Sequence, residues 1–244
     1  MKKLLSFILI LFMMVFLVGC DLRFDFPKID VYAPSITEDE ADFIELVEEL
    51  KESTVAIYNT AVTPVRYGTG IIIHKEGDSN LSYYILTTQS NVKNADEVTV
   101  YLSQTQTVTG TVIGRTDDYA QDEDIALIHV TLVSMVKPVV LQPIYDIEII
   151  NYKSIFSIGT VINVAYFNYL TNPAQIMGIQ DHIIVHGTNL NPGQIGSGLF
   201  LKQTGQLVGI NISISSVTQE RPEVLINRAI SINRVIELVE EMWS

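Results

Sequence analysis

Hydrolysis by a side-chain nucleophile needs a hydroxyl or thiol, an imidazole to take its proton, and a carboxylate to orient the imidazole. The chain offers four histidines, His74, His129, His182 and His186, and a single cysteine, Cys20. His74 ends the run Gly68-Thr69-Gly70-Ile71-Ile72-Ile73, and His129 ends Asp124-Ile125-Ala126-Leu127-Ile128. His182 and His186 are spaced to share one strand face with Ile184. Each reads as a surface or hydrogen-bonded core histidine rather than as a base. No pair of them has metal-ligand spacing with a third ligand, so neither metal nor cofactor is expected. The acidic stretch Asp117, Asp118, Asp122, Glu123, Asp124 lacks the alternation and the glycine of a calcium loop, and reads as a solvated turn. Ser197 sits among Gly193, Gly196 and Gly198 and reads as a small residue in a tight turn.

The elements that must position these groups are mostly short β segments. Lys2 and Lys3 precede a largely apolar run from Leu4 to Val18, too short to span a bilayer and flanked like a signal peptide. Leu17-Val18-Gly19-Cys20 looks like a bacterial lipobox, which implies cleavage after residue 19 and acylation of Cys20. A lone cysteine forms no internal disulfide, which favours acylation at this position. At least two acyl chains give stable anchoring, so the expected location is the extracytoplasmic face of a cell membrane. Residues 20–36, with Pro27 and Pro34, read as a tether. Thr37 and Glu40 form a T-x-x-E capping box, and Phe43, Ile44, Val47 and Leu50 supply the apolar stripe of the helix it starts.

From Val55 onward, runs rich in Val, Ile, Thr and Tyr recur between turn residues, near 55–60, 68–74, 83–88, 97–102, 106–115, 125–130, 154–160, 175–180, 182–187, 197–201 and 206–215. An amphipathic helix follows from Ser231 to Trp243. No βαβ alternation occurs, which disfavours a doubly wound parallel sheet and a solute-binding protein with α/β lobes. The expected class is all-β, two antiparallel barrels with an N-terminal and a C-terminal helix, the barrels near 54–133 and 148–231. The net charge of −13 leaves no electrostatic footprint for nucleic acid, so none is expected as a partner.

Four segments, in order, carry a resemblance. Gly68-Thr69-Gly70-Ile71-Ile72-Ile73 is similar to a G-S-G-F-I strand. Tyr84-Ile85-Leu86-Thr87-Thr88-Gln89-Ser90-Asn91-Val92 resembles Y-I-L-T-N-N-H-V-V, Asp124-Ile125-Ala126-Leu127-Ile128 resembles D-I-A-L-L, and Asn191-Pro192-Gly193-Gln194-Ile195-Gly196-Ser197-Gly198-Leu199 resembles N-P-G-N-S-G-G-P-L. Together they resemble the chymotrypsin/trypsin-like serine proteases, in particular the HtrA (DegP-type) branch, across roughly residues 54–240. The resemblance implies a trypsin-like pair of Greek-key barrels. The chain ends soon after the second barrel, so the PDZ domain carried by many HtrA relatives is not expected.

The same resemblance sets the triad-equivalent positions at Ser90, Asp124 and Ile195. Asp124 keeps the carboxylate. Ser90 replaces the imidazole and Ile195 replaces the nucleophile, and neither can perform the role. Residues 85–100 contain no histidine in any register. The amides of Gly193 and Ile195 take the oxyanion-hole positions, where the branched Ile195 side chain would crowd a carbonyl. Asn189 falls where the family sets the base of its specificity pocket. Asp124 is expected to accept hydrogen bonds from Ser90 and nearby backbone amides. The implied function is a membrane-anchored, catalytically inactive protease homologue that binds a protein or peptide. The alternative is an active endopeptidase using another constellation, such as Ser197 with a distant histidine.

Overall fold

The computed structural model describes residues 37–74, 79, 81–117, 122–160, 168–214 and 227–243. The apolar N-terminal run, Cys20 and the tether lie outside the described residues.

Helix α1 (Glu38–Glu52) starts where its cap dictates. The Thr37 hydroxyl accepts the Glu40 amide at 3.3 Å, and the Glu40 carboxylate accepts the Thr37 amide at 2.9 Å. Glu38, Asp39 and Glu40 sit at the positive end of the helix dipole and Lys51 at the negative end. Its inner face buries Val47 and Leu50, and Phe43 meets Phe156 edge-on at 5.1 Å. Replacing Thr37 with alanine removes the box and is expected to cost about 1 kcal/mol, read as a lower denaturation midpoint at constant slope.

Barrel 1 comprises β1 (Thr54–Asn59), β2 (Arg66–Ile73), β3 (Ser82–Thr87), β4 (Glu97–Tyr101), β5 (Thr107–Arg115) and β6 (Ala126–Thr131). They close antiparallel in the order β1-β2-β3-β6-β5-β4. Barrel 2 comprises β7 (Ser154–Thr160), β8 (Asn168–Leu170), β9 (Ala174–Gln180), β10 (Ile183–His186), β11 (Gly198–Leu201), β12 (Leu207–Ile214) and β13 (Asn227–Ser231). Its order, β7-β9-β10-β13-β12-β11 closed by the β11–β7 pairing, repeats the topology of barrel 1. β8 pairs Ile158 with Leu170, whereas β9 pairs Ile155 with Ala174, one residue out of that register. β8 and β9 are therefore one strand broken at 171–173. The all-β, double Greek-key class expected from the sequence is the class observed.

Two strands did not stand out in the sequence, and each has a reason. β8 has three residues, too few for a period. In β13 the inward positions carry Asn227, Ala229 and Ser231, so no apolar alternation marks it. Conversely, residues 71–73 of β2, 85–86 of β3 and 126–128 of β6 are unbroken apolar runs because both faces of these strands are buried there. Ile72, Ile85, Ala126 and Ile128 fill barrel 1, while Ile71, Ile73, Leu86 and Leu127 join the core shared with barrel 2 and the helices. Burial on both faces removes the polar half of the alternation.

Helix α2 (Ile232–Trp243) follows β13 directly and crosses from barrel 2 to barrel 1. Asn233 bridges the backbone of Ile144 in the inter-barrel segment, its Oδ1 accepting from the Ile144 amide and its Nδ2 donating to the Ile144 carbonyl, each at 2.8 Å. Arg234 pairs with Glu123 at 2.6 Å, and Trp243 lies 5.4 Å from Tyr84 on β3. Met242 occupies the space over Gly114, where a Cβ would approach its side chain to 2.6 Å. The β5–β6 register shifts at that glycine.

Candidate functional site

The triad-equivalent residues meet at the junction of the barrels. Ser90 lies in a 3-10 turn over Gln89–Val92 that follows β3, and Asp124 lies two residues before the buried start of β6. The Ser90 amide donates to Asp124 Oδ1 at 2.8 Å. The Ser90 hydroxyl donates to Thr88 Oγ1 at 3.1 Å, and the Ser90 carbonyl accepts from Arg66 at 2.8 Å. Burial pushes the Asp124 carboxyl above its ordinary value, opposed by hydrogen bonds from Ser90 and the Gln89 amide and by the Arg66 charge. Asp124 thus ties the turn to β6 with no imidazole between them.

Ile195 follows a 3-10 turn over Pro192–Gln194 that sequence chemistry accounts for. Asn191 caps it, Pro192 stands in the first turn, and Gln194 closes a capping box by accepting the Asn191 amide at 2.8 Å. Two backbone bonds define the turn, Gln194 amide to Asn191 carbonyl at 2.8 Å and Ile195 amide to Pro192 carbonyl at 3.5 Å. Of the two amides at oxyanion-hole positions, that of Ile195 is therefore turned inward onto the loop's own backbone. A free oxyanion hole needs both donors aimed at one external point.

Barrel 1 grips this loop. The Ile195 carbonyl accepts from the Thr69 amide at 3.0 Å and from Asn91 Nδ2 at 2.9 Å. The Thr69 hydroxyl donates to the Gly193 carbonyl at 2.7 Å and accepts the Thr160 amide of barrel 2 at 2.8 Å. Thr87 Oγ1 donates to the Thr69 carbonyl at 2.7 Å and accepts from Asn91 at 3.0 Å. Gly196, at φ +88°, sits beneath this group, and a Cβ there would lie 2.2 Å from the Thr69 carbonyl oxygen. Glycine is required on both steric and conformational grounds.

Ser197 is fully buried. Its hydroxyl is 2.8 Å from Ser157 Oγ and 2.9 Å from Asn211 Nδ2. The histidines stand elsewhere. His74 contacts the Ser79 carbonyl, His129 contacts Ser82, and His182 contacts the Asp122 carbonyl. His186 is fully buried in barrel 2, with Nδ1 2.8 Å from Thr188 Oγ1. Among the described residues no group of histidine, cysteine and acidic side chains could hold a metal ion. Asn189, expected at the base of a pocket, is exposed instead, and its neighbour Thr188 is the residue directed inward.

Sequence reasoning missed Thr69, Asn91, Gln194 and Asn211. One signal was legible: Asn191-Pro192-Gly193-Gln194 has the N-cap, N1 proline and N3 glutamine of a helical turn. Asn91 gave a weaker one, a polar side chain inside an apolar motif position. Asn211 gave none, because its partners come together only when barrel 2 closes.

The sequence pattern of the trypsin-like peptidase domain matches residues 68–210. No curated protein matches the chain. Among solved structures, a serine endoprotease from Yersinia pestis superposes with a TM-score of 0.62 at 19% identity, covering 82% of this chain and 66% of that one. The HtrA-type protease AlgW, solved with a tripeptide, superposes with a TM-score of 0.64 at 20% identity, covering 82% of this chain and 63% of that one. The chain spans less than two thirds of the length of either. At such identity the likeness carries the fold.

Proposed function

The chain belongs to the trypsin-like peptidase family, and we propose that it acts there as a non-hydrolytic, peptide-binding member anchored to the extracytoplasmic face of a bacterial cell membrane. The observation that carries this reading is the Ile195 position. The loop is held by the same strand and turn that carry Thr69 and Ser90, yet the residue presented there has no lone pair to attack a carbonyl. Ser90 supplies no base, and Asp124 serves instead as an acceptor for the turn. Ser197 offers no substitute nucleophile, since its hydroxyl is buried and bonded to Ser157 and Asn211. That removes the support for an active endopeptidase built on Ser197.

Peptide capture is supported by the family's architecture. An extended segment can pair with strand backbone beyond the barrels' own ladders through main-chain hydrogen bonds, which need no catalytic residue. AlgW, with a similar fold, was solved with a tripeptide. Anchoring rests on residues 1–19 as a signal peptide, Cys20 as the acylated residue, and 20–36 as the tether to a domain over 37–244.

Treating the purified full chain with a fluorophosphonate probe beside an active HtrA-type protease tests the reading. The expected result is no covalent label on this chain while the control labels fully. A labelled serine would overturn it.

A further inference from the structure

The segment joining the barrels carries a short 3-10 turn, Ile147–Ile150, with an apolar residue set on either side of it. Ile150 is buried and Ile147 packs on the shared core. Tyr145, Ile149 and Tyr152, by contrast, are 103%, 65% and 73% exposed. Single exposed apolar residues are ordinary, whereas three around one turn make a patch. The turn that carries them is firmly held. Asp146 Oδ1 accepts the Glu148 amide at 3.2 Å, and the Ile149 amide donates to the Asp146 carbonyl at 3.1 Å. The Tyr152 amide donates to the Ile176 carbonyl on β9, and the Ile176 amide to the Lys153 carbonyl, each at 3.2 Å. Tyr152 is also strained. Its φ of +64° lies in the left-handed region, which glycine adopts without steric cost and a bulky side chain does not. The exposed ring gains little packing in return, and strain kept without internal compensation points to an external partner.

The patch stands at the end of the domain where the chain enters it. Ile149 and Tyr152 line a groove beside the β11–β12 turn, together with Ser154, Gln203 and Thr204. The same Ser154, Gln203 and Thr204 line a second groove, walled by Asp39, Asp42 and Phe43 of α1. Helix α1 begins at Glu38, so the patch and the chain entry share this end. Residues 20–36, the segment between Cys20 and Thr37, span at most about 60 Å when fully extended. The surface within reach of this end is the bilayer that holds Cys20. Charge narrows the kind of surface. Glu38, Asp39, Glu40, Asp146 and Glu148 outnumber Lys153 and Lys202 here, which disfavours an anionic surface and a second copy bearing the same excess. A zwitterionic headgroup layer opposes neither sign, and tyrosine rings settle at that depth.

We propose that Tyr145, Ile149 and Tyr152 dock into the headgroup layer of a zwitterionic bilayer, so that the chain meets the membrane at this turn as well as at its lipid. The inference rests on the anchoring proposed above and names the surface that anchoring brings to the bilayer. A second contact removes the freedom of a domain held by one lipidated residue to tumble, and fixes which end of it faces the lipid.

The test uses the full chain in phosphatidylcholine vesicles, with Ile149→Trp read against the parent chain, whose single tryptophan is Trp243. The added emission is expected to shift to the blue, to be quenched by lipid brominated on its acyl chains, and to resist iodide. Tyr145→Ser with Tyr152→Ser should reverse all three, and phosphatidylglycerol at low salt should weaken them. Added emission open to iodide and unmoved by brominated lipid would overturn the docking. Resistance to iodide without quenching by brominated lipid assigns the patch to a protein contact and overturns it equally. Mass spectrometry of the same sample reads the anchor separately: an unacylated Cys20 removes the anchoring reading, while the brominated lipid still decides the patch. Tyr152→Gly, free of left-handed strain, is expected to hold or raise the denaturation midpoint of the chain. A clear fall would show that the ring serves the chain's own packing, and the docking would lose its ground.

Discussion

A chain given back both missing groups, Ser90→His with Ile195→Ser, is expected to hydrolyse peptide substrates at least about 100-fold more slowly than an intact HtrA-type enzyme. The new imidazole would stand beside Asp124, already joined to the residue 90 amide. The new hydroxyl would stand at the end of a loop fixed by Thr69 and Asn91. The deficit lies in the oxyanion hole, because the residue 195 amide is turned onto the Pro192 carbonyl. Losing one such donor costs about 10²- to 10³-fold in kcat. Adding Asn91→Val would remove one of the two bonds on the residue 195 carbonyl and free the loop to turn outward. The triple variant should therefore be faster than the double. A double variant with full activity, measured as kcat/KM on one peptide, would show that the turn reopens without cost.

Gly196→Ala is expected to lower the stability of the chain by about 3–5 kcal/mol. A Cβ there meets the Thr69 carbonyl at 2.2 Å and Thr87 Oγ1 at 2.5 Å, and the Thr69 oxygen is strand backbone in the other barrel. The left-handed conformation adds strain of about 1–2 kcal/mol for any side chain. Neither barrel can retreat without breaking the bonds from Thr69 to the Ile195 and Gly193 carbonyls. Chemical denaturation at neutral pH measures the change. A loss below about 1 kcal/mol would show that the barrels separate readily at this seam.

Both predictions turn on residues whose roles differ in how far the sequence announces them. The apolar runs within β2, β3 and β6, the cap at Thr37 and the glycines of the loop are local signals, legible in the sequence by themselves. On the proposed reading, the loss of catalysis is equally local, since Ser90 and Ile195 lack the required atoms whatever surrounds them. The grip on the loop is different. Thr69 and the Gly193 carbonyl are 124 residues apart, and Asn91 reaches across 104 residues to Ile195. Such pairs leave no periodicity. Polar residues inside a barrel, such as Asn211 and Asn227, even erase the alternation by which their strands would be recognised.

Helix α2 lays Met242 and Trp243 on barrel 1, although every strand of both barrels precedes it in the chain. Synthesis makes α2 after all of those strands. Barrel 1 can complete its six strands while the outer faces of β3 and β5 still lack the helix that covers them. The long-range docking of this helix is therefore deferred until α2 has been made. On the proposed export route this ordering matters. A barrel 1 whose outer faces wait for α2 stays less stable, and so easier to thread, until that helix arrives.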